Sequence, residues 1–299
     1  MSNNKTVLIA GGTGLVGKEL SSFLKSKGYT IKILTRKQSN PLKKQYQWDV
    51  KNKTIDPEAL EGVGCVINLV GAGIADKKWT AERKKELVSS RVEPAKFLAE
   101  VLKDHKAVTQ YISASGINCY GYNDDQKVYR ETDAYGNDFL SQVVQQWEQA
   151  ADLMPPHIKV AKLRISVVLT NKGGALPKIA KPINMYAGAA LGSGKQWMPW
   201  IAMHDLCRLF EHITSNDLEG TYNALSGAVT NKEFTKQLAK FLNKPLWLPN
   251  VPAFFLKIIL GEMSSVVLEG LNASNKKILD TGFEFKYDEL IAAFKSAYQ

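Results

Sequence analysis

Residues 6–17 read Thr6-Val7-Leu8-Ile9-Ala10-Gly11-Gly12-Thr13-Gly14-Leu15-Val16-Gly17. The first five are an apolar run of buried-strand character, and the glycines after them satisfy two spacings at once. Gly11, Gly14 and Gly17 give Gly-x-x-Gly-x-x-Gly, while Gly12, Gly14 and Gly17 give Gly-x-Gly-x-x-Gly. Such a turn needs glycine to reverse tightly, to let a pyrophosphate approach the backbone, and to let a helix pack closely on a strand. Just beyond, Leu15, Val16, Leu20, Phe23 and Leu24 recur at helical spacing, and Gly28 closes the pattern. Strand, glycine turn and helix thus follow in the order that sets an anion on free N–H groups at a helix N-terminus. The segment predicts a dinucleotide-binding turn made by Gly11, Thr13, Gly14, Leu15, Val16 and Gly17.

Outward from this turn, strand and helix signals alternate. Strands are expected at 31–34, 65–70, 111–114 and 160–165, with a helix at 80–103 that Pro94 kinks or splits and another near 138–153. Asp56-Pro57-Glu58 carries an N-cap, a first-position proline and a first-turn acid. This rhythm implies right-handed βαβ units and a doubly wound parallel α/β sheet of Rossmann type. After residue 170 it changes. Residues 171–202, rich in Gly, Pro and Trp, read as a loop-built wall over a cleft. His204-Asp205 reads as a capping feature, and Thr230-Asn231-Lys232-Glu233 as a capping box. Residues 251–271 are strongly apolar but interrupted by Lys257, Glu262 and Glu269, which argues for a packed lobe and against a membrane span. The expected division is a nucleotide-binding domain at 1–170, its sheet completed by strands from 221–248, and a smaller, mainly helical substrate lobe at 171–299.

At 299 residues, 44% hydrophobic and 23% charged, the chain has the make-up of an ordinary globular protein. Cys65, Cys119 and Cys207 show no paired or metal-ligand spacing, and the start lacks a signal segment, so a reducing cytoplasm is expected and no metal. The formal charge is +10, and residues 1–53 hold ten lysines and Arg36 against only Glu19 and Asp49. The lysines are scattered, without the aromatic platforms of single-strand binding, so no nucleic-acid partner is expected, and no membrane partner either.

An acid about 20 residues beyond the glycines marks NAD sites, where it bonds the ribose 2′-OH. Here the second strand ends Leu34-Thr35-Arg36-Lys37, with none. Arg36 can grip a 2′-phosphate bidentately and Lys37 adds charge, so NADP is favoured, with an outward-pointing Arg36 as the alternative. A Tyr-x-x-x-Lys pair, in which lysine lowers the phenol pKa for acid–base work, is absent at all 11 tyrosines. The stretch Phe139-Leu140-Ser141-Gln142-Val143-Val144-Gln145-Gln146-Trp147, where the pair would lie, has neither residue. Ser113 and Ser115 remain as hydroxyls at the end of the 111–114 strand, and Tyr120 follows. Each is a catalytic or positioning candidate, or else satisfies local backbone groups.

Taken together, Gly11-Gly12-Thr13-Gly14-Leu15-Val16-Gly17, Leu34-Thr35-Arg36, Val66-Ile67-Asn68-Leu69-Val70-Gly71, Ser89-Ser90-Arg91-Val92, Ser113-Ala114-Ser115 with Tyr120-Gly121, Trp147-Glu148, Trp197-Met198-Pro199-Trp200-Ile201 and Leu260-Gly261-Glu262-Met263 resemble one group. It is the atypical short-chain dehydrogenase/reductase proteins of the epimerase family, nucleoside-diphosphate-sugar epimerase-like, with a C-terminal domain of unknown function. The resemblance spans nearly the whole chain. It implies an extended Rossmann domain, NADP binding and a cleft roofed by the C-terminal part. Gly71, Ala72, Ser113 and Arg164 would then join the cofactor site, with Ser115 and Tyr120 catalytic. In this sequence Cys119 replaces the first tyrosine of the pair usual before the glycine, leaving Tyr120 as the only phenol of that pair. Trp197 and Trp200 would line the substrate side, or pack in a core. Two functions follow as expectations. One is a reductase or epimerase-like enzyme acting on a small carbonyl or hydroxyl substrate, as monomer or homodimer. The other is a non-catalytic NADPH-binding regulator or redox sensor.

Overall fold

The computed structural model describes residues 5–121 and 127–299. Residues 1–4, where a signal segment was sought, and Tyr122, one of the eleven tyrosines tested for a lysine four positions on, lie outside these. In chain order the first part runs β1 (Thr6–Ala10), α1 (Leu15–Ser26), β2 (Thr30–Thr35), β3 (Gln45–Asp49), β4 (Thr54–Ile55), β5 (Cys65–Asn68), α2 (Ala81–Leu102), β6 (Gln110–Gly116), β7 (Val128–Tyr129), α3 (Phe139–Ala151), β8 (Lys159–Ile165) and β9 (Val167–Leu169). The second part runs α4 (Ala175–Asn184), β10 (Trp197–Ala202), α5 (Met203–Ser215), β11 (Gly220–Ala224), β12 (Gly227–Thr230), α6 (Asn231–Phe241), α7 (Ala253–Leu260), α8 (Ser265–Leu268), β13 (Asn272–Ala273), α9 (Lys276–Leu279) and α10 (Leu290–Tyr298).

The main sheet has the order β11-β8-β6-β5-β1-β2-β3-β4, parallel except for the short β4. From β1 the chain moves one way through β2 and β3, then returns to β5 and onward through β6, β8 and β11. The β1/β5 boundary is therefore where the winding direction reverses, and the crevice at the carboxyl ends of these two strands is where such sheets bind ligands. The central strands are apolar on both faces because helices cover both. On one side Val7, Ile9, Ile67 and Leu163 pack against Leu20 and Leu24 of α1 and Leu206, Leu209 and Phe210 of α5. On the other, Leu8, Val66 and Tyr111 meet Phe97, Leu98 and Leu102 of α2. Both α5 and β11 lie beyond residue 170, so the later chain supplies a covering helix and an edge strand to this sheet. A separate cluster around Trp200, Phe234 and Phe294 forms the C-terminal core.

Several local expectations change. Pro94 lies inside α2, which continues as one helix from Ala81 to Leu102. Its ring removes one hydrogen bond, and burial of Pro94 with Leu87, Phe97 and Leu98 holds the helix across that gap. Residues 171–202 include α4 and β10, with β10 paired to β9 and β12, so this wall is partly regular structure. Asp205 does not cap its own helix. Fully buried, it accepts from the Lys286 and Tyr287 amides at 3.0 and 2.8 Å and pins the 286–287 chain. Thr230 does cap α6, accepting from the Glu233 amide. No helix among the described residues is long and apolar enough to cross a membrane. The apolar 251–271 stretch is not packed throughout: none of the side chains of α7 is buried.

Candidate functional site

The glycine turn sits at the winding reversal. Gly11 has φ +81°, and a Cβ there would lie 3.0 Å from the Leu69 carbonyl carbon, so the loops after β1 and β5 abut. At Gly17 a Cβ would come within 2.3 Å of the Gly11 carbonyl oxygen, which is the close helix-on-turn packing that glycine permits. The N-cap of α1 is Gly14, which offers no side-chain acceptor, so the first-turn amides of Leu15, Val16 and Gly17 are left without an intrahelical partner. A cleft of about 750 Å³ opens here, lined by Gly11, Thr13 and Gly14, by Thr35 at the end of β2 and Arg36 just past it, and by Leu69, Val70, Gly71 and Ala72 after β5. These features fit a dinucleotide: an uncapped helix start for the pyrophosphate and a guanidinium at the far end. Lys37 is exposed beside the cleft and is not among its lining residues.

The cleft holds groups that the search along the second strand misses. Gln47, Trp48 and Asp49 reach it from β3. Asp49 is an acid that lines the same cleft as Arg36, though the two are 13 positions apart in sequence. Its carboxylate already accepts from the Lys51 and Asn52 amides and from the Asn52 side chain, bonds that hold it below the usual carboxylate range. Two buried arginines of α2 brace the opposite wall. Arg91 donates to the Ala72 carbonyl at 2.9 Å and Arg83 to that of Gly73 at 2.5 Å, and Arg83 also pairs with Glu86. Burial, with Arg83 nearby, lowers the Arg91 guanidinium to about 10.

Strand register assembles a second constellation. Ser115 of β6 lies opposite Arg164 of β8, and Arg164 opposite Asn223 of β11, forming one row across three strands. Glu148 from α3 closes over that row, 1% exposed. Arg164 grips it bidentately, Nε to Oε1 at 2.8 Å and Nη2 to Oε2 at 2.9 Å. Ser115 Oγ donates to Oε1 at 2.5 Å, and Tyr135 Oη to Oε2 at 2.7 Å. Burial alone would raise the Glu148 pKa, but the Arg164 hydrogen bonds and charge, with Ser115 and Tyr135, hold it below the usual range. The guanidinium lies between the Tyr120 and Tyr135 rings, 5.0 and 5.2 Å from their centroids.

The expected residues are therefore divided. Ser115 and Arg164 meet at Glu148. Ser113 is fully buried and donates to the neighbouring Ala114 carbonyl. Tyr120, expected as a phenol beside the ligand, is 1% exposed, donates to Asn223 Oδ1 at 2.6 Å and accepts from Arg164 Nη1 at 2.9 Å. Burial pushes its pKa up, and its hydroxyl braces Arg164. The partly exposed phenol of the network is Tyr135, which is missed by looking for a Tyr-x-x-x-Lys pair. Trp200 packs in the C-terminal core, 2% exposed, whereas Trp197 is partly exposed. No group of three or more His, Cys, Asp or Glu poised for a metal exists among the described residues.

Comparison with known proteins agrees with this geometry. A model of the NAD dependent epimerase/dehydratase family matches residues 7–224, and one described as a domain of unknown function (DUF1731) matches residues 251–297. The chain is 34% identical to the epimerase family protein SDR39U1 homolog, chloroplastic, of Arabidopsis thaliana, over 98% of this chain and 87% of that one. It is 35% identical to the epimerase family protein SAR0825 of Staphylococcus aureus, over 97% of this chain and 98% of the relative. Among solved structures, human epimerase family protein SDR39U1 (isoform2) with NADPH superposes with a TM-score of 0.89 at 27% identity, covering 98% and 99% of the two chains. MoeE5 in complex with UDP-glucuronic acid and NAD shares the fold at a TM-score of 0.76 and 17% identity, covering 97% of each chain. The chain belongs to the NAD dependent epimerase/dehydratase family, with a DUF1731 domain at its C-terminal end.

Proposed function

We propose that this protein binds NADPH in preference to NADH and uses it to reduce a small carbonyl substrate, or to run the reverse oxidation. The observation that carries the cofactor reading is Arg36 on the cleft rim, at the end of a second strand that has no acid. When bound, the cofactor supplies the hydride. The chain's part is to bind and orient, with Gly11, Thr13, Gly14 and the α1 amides on the pyrophosphate and Arg36 with Lys37 on the 2′-phosphate. Ser115 then orients the substrate oxygen. Its proton goes to Glu148, so its oxygen is fixed before anything binds and is left to accept from a substrate hydroxyl. Tyr135, rather than the enclosed Tyr120, holds the proton nearest the open side. In this reading residues 1–170 with β11 hold the cofactor, and the rest of 171–299, including Trp197, closes the substrate side. The buried free thiols Cys65, Cys119 and Cys207 suit a reducing cytoplasm, and the assembly is a monomer or homodimer without nucleic acid.

A second reading has its own support. Ser115, Tyr135 and Tyr120 already have their protons committed to Glu148 or Asn223, and the standard Tyr/Lys pair is missing from α3. A non-catalytic NADPH-responsive protein would look the same. Calorimetric titration with NADPH and NADH at fixed salt, followed by NADPH oxidation against a panel of aldehydes, ketones and quinones, separates the readings. NADPH-selective binding with turnover supports the enzyme. Selective binding with none on any member supports the regulator, and no binding of either dinucleotide removes both.

A further inference from the structure

The helix α7, Ala253-Phe254-Phe255-Leu256-Lys257-Ile258-Ile259-Leu260, turns its most apolar side to water. At about 100° per residue, Phe254, Phe255, Ile258 and Ile259 fall within roughly 140° of arc, and Leu256 and Leu260 face the other way. Those four side chains are 49% to 73% exposed, and Trp247, on the segment leading into the helix, is 67% exposed. None of them lines the cofactor cleft. Contiguous exposed apolar surface on this scale marks a contact with another apolar phase or partner.

Charge narrows the choice. Residues 234–261 contain four lysines and no acid. Lys257 stands on α7, and Lys244 donates to Tyr186 Oη at 3.0 Å. The next acid, Glu262, is already paired with Lys84. In a two-fold dimer through this patch the lysines of one copy would face those of the other, which opposes self-association. A short helix carrying phenylalanines and isoleucines among lysines, with a tryptophan beside it, has the chemistry of a segment that lies in the plane of an anionic bilayer. Its eight residues span only about 12 Å, too short to cross one. We propose that α7 and Trp247 dock this protein on anionic phospholipid surfaces, with the lysines on the headgroups and the apolar stripe at the acyl boundary. This surface is independent of the cofactor reading.

The test is co-sedimentation of the full chain with vesicles of phosphatidylcholine alone and of phosphatidylcholine mixed with phosphatidylglycerol. Sedimentation is expected only with the mixed vesicles and should fall as salt rises. Phe254→Ser with Ile258→Ser should weaken it about tenfold or more, and the single charge reversal Lys257→Glu by about tenfold. Calorimetric binding of NADPH should be unchanged in both variants. Three outcomes would overturn the proposal. The chain stays in the supernatant with mixed vesicles, or both variants sediment like the parent, which would point to the basic N-terminal part. In the third, the parent self-associates in sedimentation velocity, the substitutions abolish that, and no vesicles are bound.

Discussion

Replacing Arg164 by methionine tests the idea that a buried ion pair organises the site. Arg164 and Glu148 are 3% and 1% exposed, so neither charge has much water to fall back on. Methionine keeps roughly the length and apolar bulk of the side chain but removes both hydrogen bonds to Glu148 and the one to Tyr120. The orphaned carboxylate then keeps only the Ser115 and Tyr135 donors. Removing one member of a buried pair costs about 3–5 kcal/mol, against about 0–1 kcal/mol for an exposed pair. For a chain of 299 residues that corresponds to a fall in Tm of roughly 5–8 °C. The pH dependence should change sign. In the parent, Glu148 sits below its unfolded value, so its contribution is complete above the ordinary carboxylate range and is lost as pH falls through the folded value. In the variant, burial without Arg164 raises the folded value above the unfolded one. That contribution should then grow as pH falls toward the ordinary carboxylate range. The assay is urea unfolding followed by circular dichroism at several pH values, with the Glu148→Leu/Arg164→Met pair as the cycle partner. The pair should cost clearly less than the sum of the single changes. A cost below about 1 kcal/mol for Arg164→Met, with an unchanged pH slope, would refute the reasoning, because that is how an exposed pair behaves.

Arg36→Glu should weaken NADPH binding by about 10- to 100-fold in calorimetric titration while leaving NADH nearly unaffected, since repulsion of the 2′-phosphate replaces a charge-assisted bond. Equal loss for both dinucleotides would remove the assignment. Gly17→Ala should cost about 1–3 kcal/mol in urea unfolding and reduce binding of both dinucleotides alike, because its Cβ meets the Gly11 carbonyl oxygen at 2.3 Å and must push the turn apart. Trp200→Ala should destabilise by about 3–5 kcal/mol in the same assay, with dinucleotide affinity unchanged, because Trp200 packs with Phe234 and Phe294 away from the cofactor cleft.

What the sequence determined by itself is what short-range chemistry carries. The strand, glycine turn and helix at the N-terminus, the missing acid after the second strand and the Thr230 cap of α6 each depend on residues within about one element of one another. Spacing and residue type suffice for these, since backbone geometry, helix ends and local charge are set by neighbours in the chain. Apolar periodicity also gave the alternating parallel architecture, because strands covered on both faces must be apolar throughout. Only the tertiary structure decided the rest. The row Ser115, Arg164, Asn223 joins residues 108 positions apart through strand register. Asp49 enters the same cleft as Arg36 only because β3 pairs with β2. Glu148 carried a motif but no role until α3 set it over β6 and β8, and the apolar stretch containing α7 gave no sign that nothing in the chain would cover it. A side chain's partners and its access to water are sums over distant segments, so burial, buried ion pairing and exposed apolar faces emerge only when those segments meet.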